Sequence, residues 1–431
     1  MTVSDSSSTA DSGESPSGGS ADPATRAAEA AGRFGDLRVT AMAAMFVALG
    51  PLTMSMYAPA MPALARSLDT TPGLVQLTLT VYLAAFAIAQ LVYGPLSDRF
   101  GRRPVLIAGM VIFVAGSALA ASARSIELLL AARLVQAVGA CAGPAIARAL
   151  VRDLYAGPKA AKVMALIGMA LTLAPAVGPV LGGHLQGWFG WRSIFVVLGA
   201  FGLAVMAVAL FALTETNRHK DPEALDPRRM ARNYATLATT GLYMGYVAIV
   251  ACTLGGLLSY VAGSPFVMID ILGLSPEVYG WLTLFTTSAY FVGATTANRL
   301  VARLGIERMA LIGASCVLAG GLILLAFAAA GVVAVITLTG PMMIWTAGMG
   351  IVFPTAMAGA LGPFPRMAGA ASALMGFFQM GAGAAGSIGV AVLEEGPWGG
   401  TALPVALMPA ILGLVGFTTF LALVWRRRGA G

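Results

Sequence analysis

The sequence predicts an all-α membrane protein whose twelve transmembrane helices form two six-helix bundles. Three observations lead to this fold class. The 431 residues are 58% hydrophobic and only 10% charged, which is too little charge for the surface of soluble domains of that total length. Twelve apolar runs reach the roughly 20 residues that a helix needs to cross about 30 Å of hydrocarbon. A single long polar stretch, residues 214–240, separates the first six runs from the last six.

The predicted spans follow one another with short polar turns between them. The first six lie near 38–62, 75–96, 104–123, 126–150, 162–187 and 191–213. The second six lie near 241–263, 278–299, 308–328, 331–356, 368–392 and 401–425. We therefore expect an N-terminal six-helix bundle at 37–213, a cytoplasmic linker at 214–240 and a C-terminal six-helix bundle at 241–425.

Two tails of different composition flank the predicted bundles. Residues 1–36 are rich in Ser, Gly and Asp, and they hold six acidic residues against Arg26 and Arg33. Such a segment cannot bury enough apolar surface to offset chain entropy, so we expect a disordered cytoplasmic tail. Its acidic start without an apolar core is not the pattern of a secretory signal peptide. Residues 426–431 are expected to form a short basic cytoplasmic tail.

Lysine and arginine are distributed asymmetrically between the two ends of the predicted spans. With a cytoplasmic N-terminus, only Arg66, Arg124 and Arg192 fall on the outer side, whereas most other basic residues, including Arg148 and Arg152, fall inside. Because Lys and Arg on the cytoplasmic side orient transmembrane helices, both termini are predicted to lie in the cytoplasm and the spans in the inner, cytoplasmic membrane. The same bias explains the net charge of +7 without a nucleic-acid partner.

Several protein classes lack their characteristic residues in this sequence. Two histidines and three cysteines are scattered along the chain, which indicates neither a metal site nor a disulfide framework. None of Lys159, Lys162 and Lys220 follows a glycine, so the phosphate-binding loop of an ATP-driven pump is missing. No grouping of nucleophile, base and metal indicates an enzyme, and no signalling domain favours a receptor. We therefore expect no catalytic residues, no cofactor and no metal.

A charged motif follows the second predicted span. It has the pattern G-x-x-x-D-R-x-G-R-R and consists of Gly94, Asp98, Arg99, Gly101, Arg102 and Arg103. Its glycines permit a sharp reversal, and its carboxylate is close enough in sequence to pair with the arginines. The pattern, between spans two and three, resembles the signature of the major facilitator superfamily. The resemblance implies two bundles that rock around a site near the bilayer midplane, with these six residues as a conformational latch.

Other segments narrow the resemblance. Gly178, Pro179, Gly182 and Gly183 form a G-P-x-x-G-G element in span five, and the stretches at 76–80, 151–155 and 368–374 are similarly distinctive. The first element resembles the motif of drug:proton antiporters with twelve spans, and the stretches resemble the bicyclomycin and chloramphenicol resistance subfamily of multidrug efflux proteins. The resemblance covers about residues 38–425. It implies secondary active export of small amphipathic compounds with protons as the coupling ion, and we expect a monomer.

Arg133 is the only Lys or Arg well inside a predicted span. A cation at such a place costs about 2.5–3.5 kcal/mol on insertion scales, so its charge must be satisfied. Two interpretations stay open. Arg133 and Gln136 either line a central cavity for substrate and coupling, or Arg133 is a structural clamp bonded to helix carbonyls and to Gln136.

Ser55 stands where the resemblance implies an aspartate in span one, directly before Met56 and Tyr57. Ser55 and Arg133 each lie at a depth of roughly 10 Å from the predicted outer ends of their spans, so they are candidate neighbours. No Asp or Glu lies in the middle of any predicted span. The proton carrier is therefore not identified, and an uncoupled facilitator or a metabolite importer of the same fold is the alternative.

The resemblance places further side chains along or near the substrate and coupling cavity. They are Tyr57, Tyr260, Trp345, Phe378 and Gln379, on spans one, seven, ten and eleven. Aromatic rings with polar atoms suit amphipathic ligands, although packing explains each of them equally well. Because a cavity with Arg133 and no fixed anion repels like charge, we expect neutral or anionic compounds to be favoured over cations.

Overall fold

Apolar stretches bounded by polar and glycine-containing turns form the helices of the molecule. The computed structural model describes residues 23–155, 157–217 and 220–425, in which α-helices are joined by short turns and no strand occurs. A helix satisfies its backbone N–H and C=O groups within one segment, which is why so hydrophobic a chain adopts helices in lipid. The predicted all-α class is confirmed.

The first six predicted spans fall in seven helices. They are α1 (Pro23–Ser55), α2 (Met61–Ser67), α3 (Pro72–Phe100), α4 (Arg102–Ala121), α5 (Ile126–Leu154), α6 (Gly157–Phe189) and α7 (Arg192–Phe211). The side chains of Thr71 and Ser125 cap the N-termini of α3 and α5 by accepting backbone N–H groups. Gly101, with φ of 108°, makes the sharp turn from α3 into α4.

The linker and the second six predicted spans also fall in seven helices. They are α8 (Pro227–Ala238), α9 (Gly241–Pro265), α10 (Pro276–Leu304), α11 (Ile306–Ala329), α12 (Val335–Leu361), α13 (Ala368–Glu394) and α14 (Leu403–Phe420). The polar linker therefore contains a helix of its own, α8, which Asp226 caps through the backbone N–H of Arg228. Tyr234 on α8 donates a 3.0 Å hydrogen bond to the carbonyl of Leu91 on α3.

Eleven helices among the described residues are long and apolar enough to cross a membrane. The predicted eighth span falls in α10, which has 29 residues but is not among the eleven. Its hydroxyl-bearing residues lower its hydropathy, yet they bond the carbonyls of their own helix, as Thr283 does to Gly280 at 2.7 Å. Because α10 packs on α6 and α12, which are both among the eleven, we assign it as the twelfth span.

The two tails fall mainly outside the described residues, which omit 1–22 and 426–431. From Pro23, however, the chain is helical and runs without interruption into the first span. Residues 23–31 are mostly Ala, the strongest helix former, so residues 23–36 are helical where the sequence predicts disorder. By its internal contacts the described chain up to Ala41 forms one unit, and the chain from Met42 onward forms another.

Within the unit that begins at Met42, helices of the two predicted bundles pack directly on each other. α3 packs along α13, and α6 packs on α10. Polar contacts join the same two halves at one end of the bundle, where Arg66 Nη1 lies 2.6 Å from Asp270 Oδ1 and Thr71 Oγ1 donates to Glu395 Oε1 at 3.2 Å. We call this end the predicted outer face, and the end that holds Asp98 and Arg102 the predicted inner face.

Candidate functional site

Arg133 lies at the centre of an aromatic cage. Helix α5 places it inside the first half with 0% exposure. Its guanidinium carbon lies 4.8 Å from the ring centroid of Tyr57, 4.3 Å from that of Tyr82 and 5.9 Å from that of Phe195. The negative faces of these rings stabilise a desolvated cation. Rings from α3 and α7 and from the turn after α1 therefore replace the carboxylate that a buried arginine usually needs.

A chain of hydrogen bonds fixes the arginine in this cage. Arg133 Nη1 donates to Gln136 Oε1 at 2.6 Å, and Gln136 Nε2 donates in turn to Ser117 Oγ at 2.9 Å. Ser117 completes the chain by donating to the carbonyl of Phe113 at 2.8 Å. Tyr57 is held by a 2.5 Å hydrogen bond to Thr78. Arg133 and Gln136 thus make the contact that the structural-clamp interpretation predicts.

Not every polar atom of the cage has a partner. Nε and Nη2 of Arg133 and the hydroxyl of Tyr82 are buried and make no hydrogen bond with any described residue. A buried donor without a partner costs about 1–3 kcal/mol. The cage therefore satisfies the charge of Arg133 through the ring faces but leaves hydrogen-bonding capacity free.

Ser55 does not belong to the cage. Its hydroxyl donates to the carbonyl of Pro51 at 2.8 Å and lies 3.4 Å from the carbonyl oxygen of Ala174 on α6. A methyl group added at Gly178 would collide with this hydroxyl. No hydrogen bond joins Ser55 to Arg133 in the described structure. The two side chains have different neighbours, because Ser55 bonds carbonyls of α1 and α6 while Arg133 lies among aromatic rings.

The antiporter-like element on α6, residues 178–183, contacts α1 on one side and α10 on the other. Methyl groups at Gly178 and Gly182 would strike Ser55 and the carbonyl of Met56. On the other side of α6, the carbonyl of Pro179 faces Gly280, and a methyl group at Gly183 would strike the carbonyl of Pro276. Close approach of α1 and α10 to α6 therefore depends on glycine at these positions, as in small-residue contacts between membrane helices generally.

The remaining cavity candidates are packed in the second half. Trp345 is fully buried, donates from Nε1 to the carbonyl of Thr253 at 3.2 Å, and has its ring against glycines of three neighbouring helices. Tyr260, 7% exposed, belongs to the same apolar cluster. Phe378 and Gln379 are half-buried on α13. No hydrogen bond or ring contact joins these four described residues to the cage, so the structure does not unite the predicted set.

Arg102 organises the charged turn at the predicted inner face. It is 4% exposed and contacts two carboxylates, Asp98 Oδ1 at 2.5 Å and Asp153 Oδ2 at 2.9 Å. It also donates to Ser97 Oγ at 2.6 Å. One guanidinium thereby ties α3 and α4 to the end of α5, because its planar fork presents donors in several directions.

Glu215, which follows α7, completes this turn. Its carboxylate accepts the backbone N–H groups of Arg102 at 2.9 Å and Arg103 at 3.2 Å, at the N-terminus of α4. A side chain at Gly101 would lie 2.5 Å from Glu215 Oε2. In the opposite direction, the side chain of Arg103, at the start of α4, donates to the carbonyls of Ala209 and Leu210 at the end of α7. The two helix ends thus cap each other.

Two residues of the charged motif contribute little to this network, because Arg99 bonds none of the residues named above and Gly94 only accepts a 2.9 Å hydrogen bond from Ser97 Oγ through its carbonyl. Arg99 is exposed and lies over the ring of Phe100, at 5.4 Å. Gly94 has open space around the position that a side chain would occupy, with nothing within 4 Å. Packing in this conformation therefore does not explain the glycine.

The family comparison agrees with this architecture. The family model described as Major Facilitator Superfamily matches residues 43–387, most of the chain. The chain belongs to the major facilitator superfamily. It is accordingly a multi-pass membrane transporter rather than an enzyme, and the predicted fold is that of the superfamily.

Named relatives of this superfamily member are drug resistance proteins. Multidrug resistance protein D of Escherichia coli is 32% identical over 86% of the chain and 93% of that relative. The chloramphenicol resistance protein of Pseudomonas aeruginosa is 32% identical over 86% and 88%, and the bicyclomycin resistance protein homolog of Haemophilus influenzae is 29% identical over 78% and 84%. These matches confirm the resemblance to bicyclomycin and chloramphenicol resistance proteins.

Solved structures of the superfamily share the fold. A D-xylose-proton symporter superimposes with a TM-score of 0.72 at 15% identity, covering 90% of this chain and 97% of that one. The partially occluded inward open conformation of the Escherichia coli xylose transporter XylE gives a TM-score of 0.68 at 13% identity, covering 91% and 97%. At these identities the match shows the fold alone.

Sequence reasoning missed several members of the two networks. Tyr82 and Phe195 complete the cage, and Asp153 and Glu215 complete the charged turn. Glu215 lies on the far side of four helices in sequence, so no local pattern could have joined it to Arg102. Tyr82 and Phe195 lie in apolar spans, where an aromatic residue facing a charge has no signature of its own.

Proposed function

We propose that this transporter exports small amphipathic compounds across the inner membrane in exchange for protons. It works by alternating access, as a monomer with both termini in the cytoplasm. It favours neutral or anionic compounds over cations.

The surroundings of Arg133 carry the proposed charge preference. Three aromatic rings and one amide enclose its guanidinium, and no carboxylate among the described residues bonds it. The charge is therefore not neutralised by a formal anion within hydrogen-bonding distance. In a low-dielectric interior a permanent cation near this site is repelled, whereas a neutral or anionic compound is not.

The contacts between the two halves support alternating access. At the predicted outer face the halves meet through the Arg66 and Asp270 ion pair and through close contacts of Gly183 with Pro276. The Arg66 and Asp270 pair is more than one third exposed on both sides, so it is weak and easily separated. Such contacts suit a seal that opens and closes as one half moves against the other.

The charged turn is proposed to act as a latch by keeping the first half rigid. Arg102, Asp153 and Glu215 bind four helices of that half to one another at the predicted inner face. A half that moves as a unit transmits a displacement at one face to the other. We propose that this rigidity, rather than a bond across the halves, is the role of the motif.

Flux into proteoliposomes with an imposed pH gradient tests the proposal. Three probes separate the charge classes: neutral phenylnaphthylamine, its anionic sulfonate anilinonaphthalene sulfonate, and the permanent cation ethidium. We expect uptake of the first two to be driven by the gradient and to collapse when a protonophore removes it. Preferential transport of ethidium would refute the charge preference, and uptake that ignores the gradient would refute proton exchange.

Ser55 keeps a second function open, namely an uncoupled facilitator or an importer. Its hydroxyl is engaged with backbone carbonyls and cannot release a proton at physiological pH. A facilitator would let either non-cationic probe equilibrate without accumulation. An importer would concentrate a metabolite in the direction opposite to that of export.

A further inference from the structure

Arg148 lies on the same face of α5 as Arg133, nearer the predicted inner face. The steps from Arg133 through Ala137, Cys141 and Pro144 to Arg148 are four, four, three and four residues, which keeps all five on one side of the helix. The fifteen positions between the two arginines correspond to about 22 Å along the axis. The sequence alone explains Arg148 as one of the basic residues that orient the spans.

The structure gives this side chain an unusual environment. Its chain neighbours Ala147, Ala149 and Leu150 are at most 6% exposed, while Arg148 itself is half-buried. One turn further along the same side of α5, Nη1 of Arg152 would lie 3.2 Å from a side chain added at Gly369 on α13. This part of α5 therefore faces the second half, and Arg148 is half-buried on that side.

No anion compensates this charge among the described residues. Arg148 makes no hydrogen bond or ion pair with any of them, and the only titratable group acting on it is the thiol of Cys141. The charges of the other enclosed arginines have close partners, which are the aromatic rings and Gln136 for Arg133 and two carboxylates for Arg102. A partly desolvated cation without a partner is costly, and an anionic ligand removes that cost.

We infer that Arg148 binds the anionic headgroup of a substrate, a carboxylate, sulfonate or phosphate, as it enters from the predicted inner face. The inference rests on the proposed function, since it names the substrate class of the same transport path. Arg133 is fully buried in this conformation, whereas Arg148 is half-buried and lies nearer the predicted inner face. Its guanidinium fork can bind two oxygens of such a headgroup at once.

The test compares two probes that share one scaffold and differ in the sulfonate. Arg148→Gln removes the charge, Arg148→Lys keeps it without the fork, and Arg303→Gln removes an exposed charge at the predicted inner end of α10. KM for anilinonaphthalene sulfonate should rise about tenfold in Arg148→Gln, the value of one lost charge-assisted hydrogen bond. Arg148→Lys should show a smaller rise. KM for phenylnaphthylamine should not change, and Arg303→Gln should match the wild type for both probes.

Two outcomes overturn the inference. One is an equal loss of transport for both probes in Arg148→Gln, which would show a structural role. The other is an unchanged KM for the sulfonate. Equilibrium dialysis of the sulfonate against purified protein decides the point independently of flux, with weaker binding expected for Arg148→Gln than for the wild type. If the wild type transports neither probe, the proposed function fails, while equal binding by wild type and Arg148→Gln refutes only the role of Arg148.

Discussion

Replacing Arg102 by alanine should destabilise the protein far more than replacing Arg99, three positions earlier in the same motif. Arg102→Ala leaves Asp153, whose side chain is 16% exposed, without its cation, and removes the partner of Asp98, which is 41% exposed. Stranding one partner of a buried ion pair costs about 3–5 kcal/mol, whereas exposed pairs contribute about 0–1 kcal/mol. Because water screens the pair with Asp98, most of the loss arises at Asp153. We expect a total loss of about 3 kcal/mol.

Reversible unfolding in mixed micelles, followed by far-ultraviolet circular dichroism, measures this free energy. Arg99→Ala is the matched control, because Arg99 is exposed and its contact within the described part of the chain is a cation–π interaction with the ring of Phe100, worth about 0.5–1 kcal/mol. Combining Arg102→Met with Asp153→Asn should recover part of the loss, because the carboxylate that then lacks Arg102 is the exposed Asp98 and no longer the enclosed Asp153. Equal destabilisation by Arg99→Ala and Arg102→Ala would refute the reasoning, since it would show that the network around Arg102 contributes nothing beyond one surface charge.

Three further predictions concern the contacts between helices. Gly182→Val should lower the melting temperature in detergent, because the added side chain strikes the carbonyl of Met56. Gly94→Ala should raise the free energy of unfolding by up to about 1 kcal/mol, because open space surrounds the position and alanine favours a helix. Similar melting temperatures for the two variants would contradict the predicted difference. Asp270→Asn removes the exposed ion pair with Arg66 at the predicted outer face. In a cysteine-free background that carries Gln76→Cys, it should raise the reactivity of the introduced cysteine toward an impermeant maleimide by no more than about fivefold, because an exposed pair is weak. A lower reactivity of that cysteine would refute the proposed seal. Ser55→Asp should widen transport toward ethidium by adding an anion, and unchanged discrimination against ethidium would count against the proposed charge preference.

The sequence predicted helices and local pairs well because both depend on spacing along one segment. The twelve spans follow from apolar runs, and the contact between Arg133 and Gln136 follows from their three-residue separation on α5. Even the exception, α10, is predicted from its apolar run near 278–299, although its hydroxyl groups keep its hydropathy below that of the other spans.

What the sequence could not supply is the rotation of each helix about its axis. Counting residues from the predicted outer face gave Ser55 and Arg133 similar depths, but depth does not fix the direction of a side chain. The hydroxyl of Ser55 faces the carbonyl of Ala174 on α6, whereas the ring of Tyr57, two residues later, packs against the guanidinium of Arg133. Contacts made by packing across several spans, such as that of Glu215 with Arg102, require the assembled bundle.

The position of Ser55 bears directly on how protons could be coupled to transport. Its hydroxyl donates a hydrogen bond to the carbonyl of Pro51 and faces that of Ala174, and both of these oxygens are acceptors. An ionised aspartate at this place could not donate to either, whereas a protonated one could. The serine hydroxyl can therefore donate to these carbonyls at any physiological pH, whereas an aspartate could donate to them only while its carboxyl group is protonated. The contact between α1 and α6 is in this way made independent of pH, because neither the Ser55 hydroxyl nor the two carbonyls exchanges a proton near neutral pH. A proton-dependent step at this contact would therefore require the aspartate that the resemblance implies here.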